Sequence, residues 1–580
     1  MRIKANGISV PVQESIQLRF FNPLFNSIGS HSFPLSFPGR LPTVQKAFGY
    51  PSHKGKLEQP LVPAEIDLGH LKLLGSWKVD DAGDGVEAYF KCGSGDFNSA
   101  VGNKLLTDLA YRGDYYPAEL GGTVDNVMVH LTLHKDECYP DIEYVAFPVY
   151  MPNALGNDTP DDYAIVNPIE MQDHPSGIPR AVFVSPSNST VYLFAATVIK
   201  YIFNEHGYKI GRNIFEEDSD LCRLVVFNTF NRLSSNFANF RYEHLVPRVT
   251  IREFISALSA MLNIGFIVNE TSKTVEIISF DSIVASAPEA CGMMVHGSTV
   301  NKTRSSGFKL SIDYPDSWSD CSYDKIDDLT IDGVIYDVNT VADFDASSLN
   351  NNKTYFVKSE SAYYRVSADY STSPTTYEKE RLCPDLLNYY TGSREKPVEP
   401  GAGTLGLYDY VQEINYEYTL PGHETPSDLT TYRHHIIPRC DLPGNKDLLP
   451  YTNYPLIFLF ARGGQIENIE TMEGAPNEGN YPMGSPDVYD AKGAKIEAAN
   501  LALKWNGDYG LVERFWKNRM FWEDNIKATI KGSLADRHLS KLLDYSHPVR
   551  IDGMNYLVDS FNCEATVSRI RITEAELFRL

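Results

Sequence analysis

The stretch Val246–Phe280, VPRVTIREFISALSAMLNIGFIVNETSKTVEIISF, holds the clearest periodic pattern in the chain. Apolar Ile251, Phe254, Ile255, Leu258, Met261 and Leu262 recur at helical spacing and make one stripe. Thr250 and Glu253 have capping-box spacing at its front end. Pro247 lies just ahead, where a missing N–H costs nothing. Gly265 is the expected stop, because glycine takes the left-handed conformation that ends a helix. Phe266–Val268 and Val275–Phe280 then read as two strands around the polar turn Asn269–Thr274. Burying the side chains of this stripe yields roughly 9–18 kcal/mol gross. Ordering about 30 residues costs more than that. The unit therefore has to pack on the rest of the chain. Its polar helix face carries only Arg252, Glu253, Ser256 and Ser259, a poor set for catalysis and a reasonable one for a scaffold.

The surrounding chain has 580 residues, length for about three or four domains. Its 35 tyrosines and 29 phenylalanines favour strands, so the expected class is α+β and mostly β. The net charge of −23 supplies no basic footprint for phosphate contacts and argues against nucleic-acid binding. It suits solubility, or a surface that DNA must pass without sticking. Cys92, Cys138, Cys222, Cys291, Cys321, Cys383, Cys440 and Cys563 are scattered, with no CxxC pair and no zinc-like spacing. The opening MRIKANGISVPVQE has no apolar core of a signal peptide. Free thiols and a reducing compartment are the expectation. The longest apolar run, Val191–Phe203, is interrupted by Lys200, so no membrane span and no stable insertion are expected.

Patterning divides the chain into 1–150, 151–295, 296–445 and 446–580. In the first segment HLKLLGSWKVDDAGDGVEAYFKCGSG reads as a hairpin turning at Asp84–Gly85, and NVMVHLTLH alternates as a strand. Residues 151–187 read as loop, and a helix over about 190–206 should stop at Gly207. Residues 296–440 return to β patterning, with 394–406 as a linker inside them. Residues 471–493 read as a long Gly/Pro loop, followed by helical segments near 494–505 and 509–522 and a β tail.

Motifs with chemistry are weak. Gly401–Gly406 matches G-x-G-x-x-G but has neither the strand before it nor the helix after it that a dinucleotide site needs, and reads as linker. Asp80–Gly85 has Ala82 where a calcium loop needs a ligand and Lys91 at its twelfth position, and reads as a tight turn. His130 and His134 share a strand face near Asp136 and Glu137; they read as surface histidines, with a metal site as the alternative. His434, His435 and Cys440 form a looser cluster. Trp505, Trp516, Trp522, Phe515 and Phe521 read as packed core, with sugar stacking or a partner surface as the alternative. Catalytic, cofactor-binding and metal-binding residues are therefore all assigned as none. The tyrosine doublets Tyr115–Tyr116, Tyr363–Tyr364 and Tyr389–Tyr390 keep open a glycan-binding adhesion module. The abundant carboxylates keep open a cell-wall or polysaccharide hydrolase.

Several blocks, in order, resemble one family. They are NPLFNSIGSHSFPLSFPGRLPTVQKAFGYP, LLGSWKVDDAGDGVEAYFKCGSGDFN, YPDIEYVAFPVYMPN, HLVPRVTIREFISALSAMLNIGFIVNETSKTVEIISF and GLVERFWKNRMFW. Together they resemble the tail hubs, or tail-associated baseplate proteins, of tailed phages, in the form found in phages and prophages of Bacteroidetes-type bacteria. Residues 296–440 match least. The chain stops after its last β segment and so resembles members without an added cell-wall-degrading domain. The resemblance implies an N-terminal β-barrel-like domain (1–150), an α/β hub domain (151–295), a second β-rich domain (296–445) and a C-terminal α+β hub domain (446–580). It also implies a virion protein at the tail tip, assembled in the host cytoplasm as a ring-forming homotrimer. Such a ring continues the tail tube, lets DNA pass at ejection, and mates with distal tail or tube, tape-measure and spike or fibre proteins.

Overall fold

The capping box at Thr250 forms as its spacing predicts. In the computed structural model of the protein, the Thr250 hydroxyl accepts from the Glu253 N–H at 3.1 Å, and the Glu253 carboxylate accepts from the Thr250 N–H at 2.7 Å. The helix spans Ile251–Leu262, and Ile251, Phe254, Ala257, Leu258, Met261 and Leu262 are buried along its stripe. It ends two residues earlier than expected. Asn263, at φ 49 and ψ 46, takes the left-handed position, and Gly265 lies in the strand Ile264–Asn269. That strand pairs with Thr274–Ser279, with Asn269 opposite Thr274. Phe280 then opens a short helix, Phe280–Ala285, in place of extending the strand.

The structure describes residues 1–11, 15–25, 29–53, 61–69, 71–82, 85–111, 137–151, 165–172, 180–183, 189–228, 242–292 and 295–303. It also describes short strands between 309 and 439, then 456–468, 478–485, 500–503, 509–524, 527–533, 538–566 and 570–580. NVMVHLTLH, His130, His134, His434, His435, Cys440, Trp505 and the linker before Gly406 lie outside the described residues.

The fold is α+β and mostly β. Its largest sheet has 14 described strands, running from the edge strand Ile8–Val10 to Val295–Thr303. The hairpin of Lys72–Ala82 with Gly85–Cys92 forms, with Gly85 already inside the second strand, opposite Pro38. Ser15–Phe21 pairs antiparallel with Met554–Thr566, Ser15 facing Thr566. Ile570–Arg579 and Lys527–Ser533 continue the same sheet. Glu289–Gly292 joins it through Val549–Ile551. Hydrogen bonding therefore crosses the divisions drawn near 150, 295 and 445, and the first and last described strands share one layer. The Val549–Ile551 and Met554–Thr566 hairpin turns at Asp552 and Gly553, both with positive φ, as a two-residue Asp–Gly turn requires.

A second sheet of seven described strands includes Tyr144–Val145, Tyr192–Phe194, Leu224–Val226, Phe458–Asn468 and Glu478–Ser485. The last of these falls inside the stretch expected to be a long loop and pairs along eight residues with Phe458–Asn468. The region expected to be loop at 151–187 likewise contains the strands Ile165–Val166, Ile169–Gln172 and Arg180–Phe183. The helix Ala195–Glu205 follows Tyr192–Phe194 directly. It ends as predicted at Gly207, with the Gly207 N–H on Asn204 and the Tyr208 N–H on Phe203, a Schellman closure. Leu501–Leu503 is not helical, whereas Val512–Trp516 and Lys517–Asp524 form one continuous helical segment. A four-stranded sheet spans strands from Tyr336–Val338 to Thr376–Pro384. No described helix is long and apolar enough to cross a membrane.

Two apolar cores lie either side of the hairpin unit. Phe266, Val275 and Ile277 join a core with the Ile251–Leu262 and Ala195–Glu205 helices. Ile267, Ile278, Phe280 and Ile283 join the core of the large sheet. Strand alternation sends successive side chains to opposite faces, so one hairpin is shared by both cores. Gly265 lies where Leu24 of the large sheet's core approaches, 3.6 Å from where a Cβ would stand.

Candidate functional site

The segment after the Ile251–Leu262 helix is tied to the C-terminal half by buried polar bonds. Asn263, 1% exposed, donates to the Phe515 carbonyl at 2.8 Å and accepts from Arg519 at 2.6 Å. The Trp516 indole donates to the Met261 carbonyl at 3.1 Å. The Arg519 guanidinium lies over Phe25, Trp516 and Phe280 at 5.1, 5.3 and 5.8 Å from their ring centres. One cation thus joins the N-terminal strand region, the helix–hairpin unit and the C-terminal helix through ring faces. Phe515 and Trp516 are buried, as expected of core, while Phe521 is 73% exposed.

The large sheet, the hairpin and the segment Ser540–His547 line an open cavity of about 520 Å³. Phe20, Phe21, Leu73 and Ile267 give it apolar wall; Glu270, Glu276, Asp544, Ser546 and His547 give it polar wall. Next to the lining residues Ser30 and Ser94, two glycines let backbones pack closely. A Cβ on Gly95 would stand 2.4 Å from the Ser30 carbonyl, and one on Gly29, at φ +78, 2.4 Å from the Gly95 nitrogen.

A cavity lined by carboxylates and a histidine has to be tested for catalytic geometry. The Ser546 hydroxyl lies 2.7 Å from Nδ1 of His547, and an Asp544 oxygen lies 3.5 Å from the same nitrogen. A nucleophile–base–acid relay needs the hydroxyl and the carboxylate on opposite ring nitrogens. Here both crowd one nitrogen, and Ser546 also hydrogen-bonds Asp544, a local turn arrangement. Glu270 has both oxygens engaged, one by the Tyr208 hydroxyl and one by Lys273. Burial, with Glu270 beside it, pushes the Tyr208 phenol well above its usual range. Behind the wall Asp96 accepts from Ser76, and burial raises its carboxyl to about 6 against that hydrogen bond. Burial also raises the Cys92 thiol. These carboxylates are held by neighbours in fixed positions, which suits a structural ion cluster. Among the described residues no group of three or more His, Cys, Asp or Glu could hold a metal ion.

Sequence reading assigned no site and could not have found this cavity. Its walls come from five separate stretches of the chain, and none carries a local signature. No family model and no curated protein matches the chain. A solved structure similar to it is the 43 kDa tail protein of prophage MuSo2 from Shewanella oneidensis, at 9% identity, covering 100% of this chain and 97% of that one. The TM-score is 0.30, which does not establish a shared fold.

Proposed function

We propose that the protein is a structural component of a phage tail, a hub or baseplate protein whose copies form a three-fold ring at the tail tip. In this reading the ring continues the tube, lets DNA pass, and anchors distal tail, tape-measure and spike or fibre partners. The observation that carries it is that the sequence blocks resembling tail hubs come together in space. The Gly93 region of the second block lies beside Val268 of the helix–hairpin block, 3.5 Å from a Cβ to its carbonyl, and Asn263 of the helix–hairpin block bonds Phe515 of the last. The shared blocks thus form one brace between two cores, a scaffold's role. The polar groups around the cavity are engaged with one another in geometries that do not assemble a relay.

The experiment is assembly. Purified full-length protein at micromolar concentration should give a trimer by light scattering and three-fold rings by electron microscopy, with carboxylates on the inner rim. A monomer that persists at high concentration and forms no ring with co-expressed tail proteins would refute the reading.

A further inference from the structure

We propose that Cys138 and Cys222 are a redox modification site, a thiol pair that a small-molecule disulfide converts into an intramolecular bridge. The inference does not rest on the tail reading.

The two sulfurs lie 2.8 Å apart, about 0.8 Å beyond an S–S bond of roughly 2.05 Å. The backbone holds them there from both sides. The N–H of Tyr139, next to Cys138, donates to the Cys222 carbonyl at 3.2 Å, and the Cys222 N–H donates to Asp218 at 3.1 Å. Cys222 lies in the short helix Leu221–Arg223, which leads straight into the strand Leu224–Val226. Cys138 lies just ahead of Tyr144–Val145. Tyr192–Phe194 runs between those two strands and pairs antiparallel with both. A bridge at 138–222 would therefore fasten the entries of the two strands that flank it.

Exposure separates the roles. Cys138 is partly exposed and Cys222 is buried. Burial, together with the neighbouring sulfur, raises the Cys222 thiol. The Cys138 thiolate is then the group that attacks one sulfur of a reagent such as oxidised glutathione. The reagent's S–S bond breaks, one glutathione thiolate leaves, and a mixed disulfide forms on Cys138. Cys222 loses its proton to solvent, and its thiolate attacks the Cys138 sulfur and expels the second glutathione. Two protein thiols and one glutathione disulfide give one protein disulfide and two glutathione thiols. The protein is oxidised by two electrons and the reagent reduced by two. The second step, which needs the buried thiolate, is the slower.

The test uses the full chain, fully reduced, desalted and then incubated with oxidised glutathione. Peptide mapping without reductant should show one linked peptide pair joining Cys138 to Cys222, preceded by a transient glutathione adduct on Cys138. Its melting temperature should rise on oxidation and return when reductant is added. Cys222→Ala should stop at the Cys138 adduct, and Cys138→Ala should show neither adduct nor link. A Cys138 adduct that persists in the wild-type chain without the linked peptide overturns the inference. So does a Cys222 found paired with another cysteine, or a wild-type chain that forms neither product after prolonged exposure. The wild-type mapping decides the matter even where a variant folds poorly.

Discussion

Replacing Asn263 with alanine should loosen the joint between the helix–hairpin unit and the 511–524 helical segment. The side chain is 1% exposed, donates to the Phe515 carbonyl at 2.8 Å and accepts from Arg519 at 2.6 Å. Each buried partner deprived of its bond costs about 1–3 kcal/mol. The backbone at φ 49 adds about 1–2 kcal/mol once a residue without asparagine's local hydrogen bonding sits there. The sum is about 3–8 kcal/mol. Asn263→Gly loses the same two bonds but accepts the left-handed backbone freely, so it should be about 1 kcal/mol less damaging than alanine. Asn263→Asp keeps an acceptor for Arg519 but sets a carboxylate oxygen against the Phe515 carbonyl. Urea unfolding followed by tryptophan fluorescence is the assay, since the Trp516 indole bonds the Met261 carbonyl two residues before the joint. If Asn263→Ala unfolds within about 0.5 kcal/mol of wild type, the size of an ordinary surface change, the joint does not hold the two segments as described. Glycine proving worse than alanine would refute the backbone part alone.

Other perturbations have signs that the structure sets. Asp96 has its carboxyl raised to about 6 by burial, so between roughly pH 4 and 6 the folded chain binds its proton more tightly than the unfolded one. Its contribution is therefore a gain in stability as pH falls from 7 towards 4. Asp96→Asn should stabilise the protein at pH 7, by at most about 3 kcal/mol, and flatten the denaturant midpoint against pH in that window. Asp220 meets Arg462 at 2.8 Å and accepts from the Leu501 N–H at 3.0 Å, all buried; Asp220→Ala should cost about 3–5 kcal/mol and expose the 500–503 segment to protease. A Cβ on Gly75 would stand 1.9 Å from the Lys91 carbonyl of the paired strand, so Gly75→Ala should lower the melting temperature even though Ala in a strand interior ordinarily costs less than Gly. An unchanged melting temperature would show that the two strands can separate at no cost.

What the sequence showed depended on how local the signal was. The helix over 251–262 and its capping box could be read because the partners are three residues apart. Its stop was misread, because Gly265 is the stronger local signal, yet Asn263 takes the left-handed position and spends its side chain on Phe515 and Arg519, bonds from more than 250 residues away. The strand Glu478–Ser485 was hidden among glycines and prolines because its stability comes from its partner Phe458–Asn468, with no alternating apolar face of its own. The pairing of Ser15–Phe21 with Met554–Thr566 leaves no trace in either segment alone. The cavity was invisible for the same reason, and so was the contact between Cys138 and Cys222, which looked like two unrelated thiols.

That long-range pairing sets a timetable for synthesis. Ser15 meets Thr566 across the sheet, so the earlier strand waits for one made about 550 residues later. At about 5–20 residues per second, the wait is roughly half a minute to two minutes. During that time the nascent chain carries an open strand edge with apolar Ile16, Leu18 and Phe20 on one face, the kind of edge that captures strangers. Dependence on a chaperone while the chain is still being translated follows from this order, as does poor tolerance of a stop codon anywhere between the two paired strands.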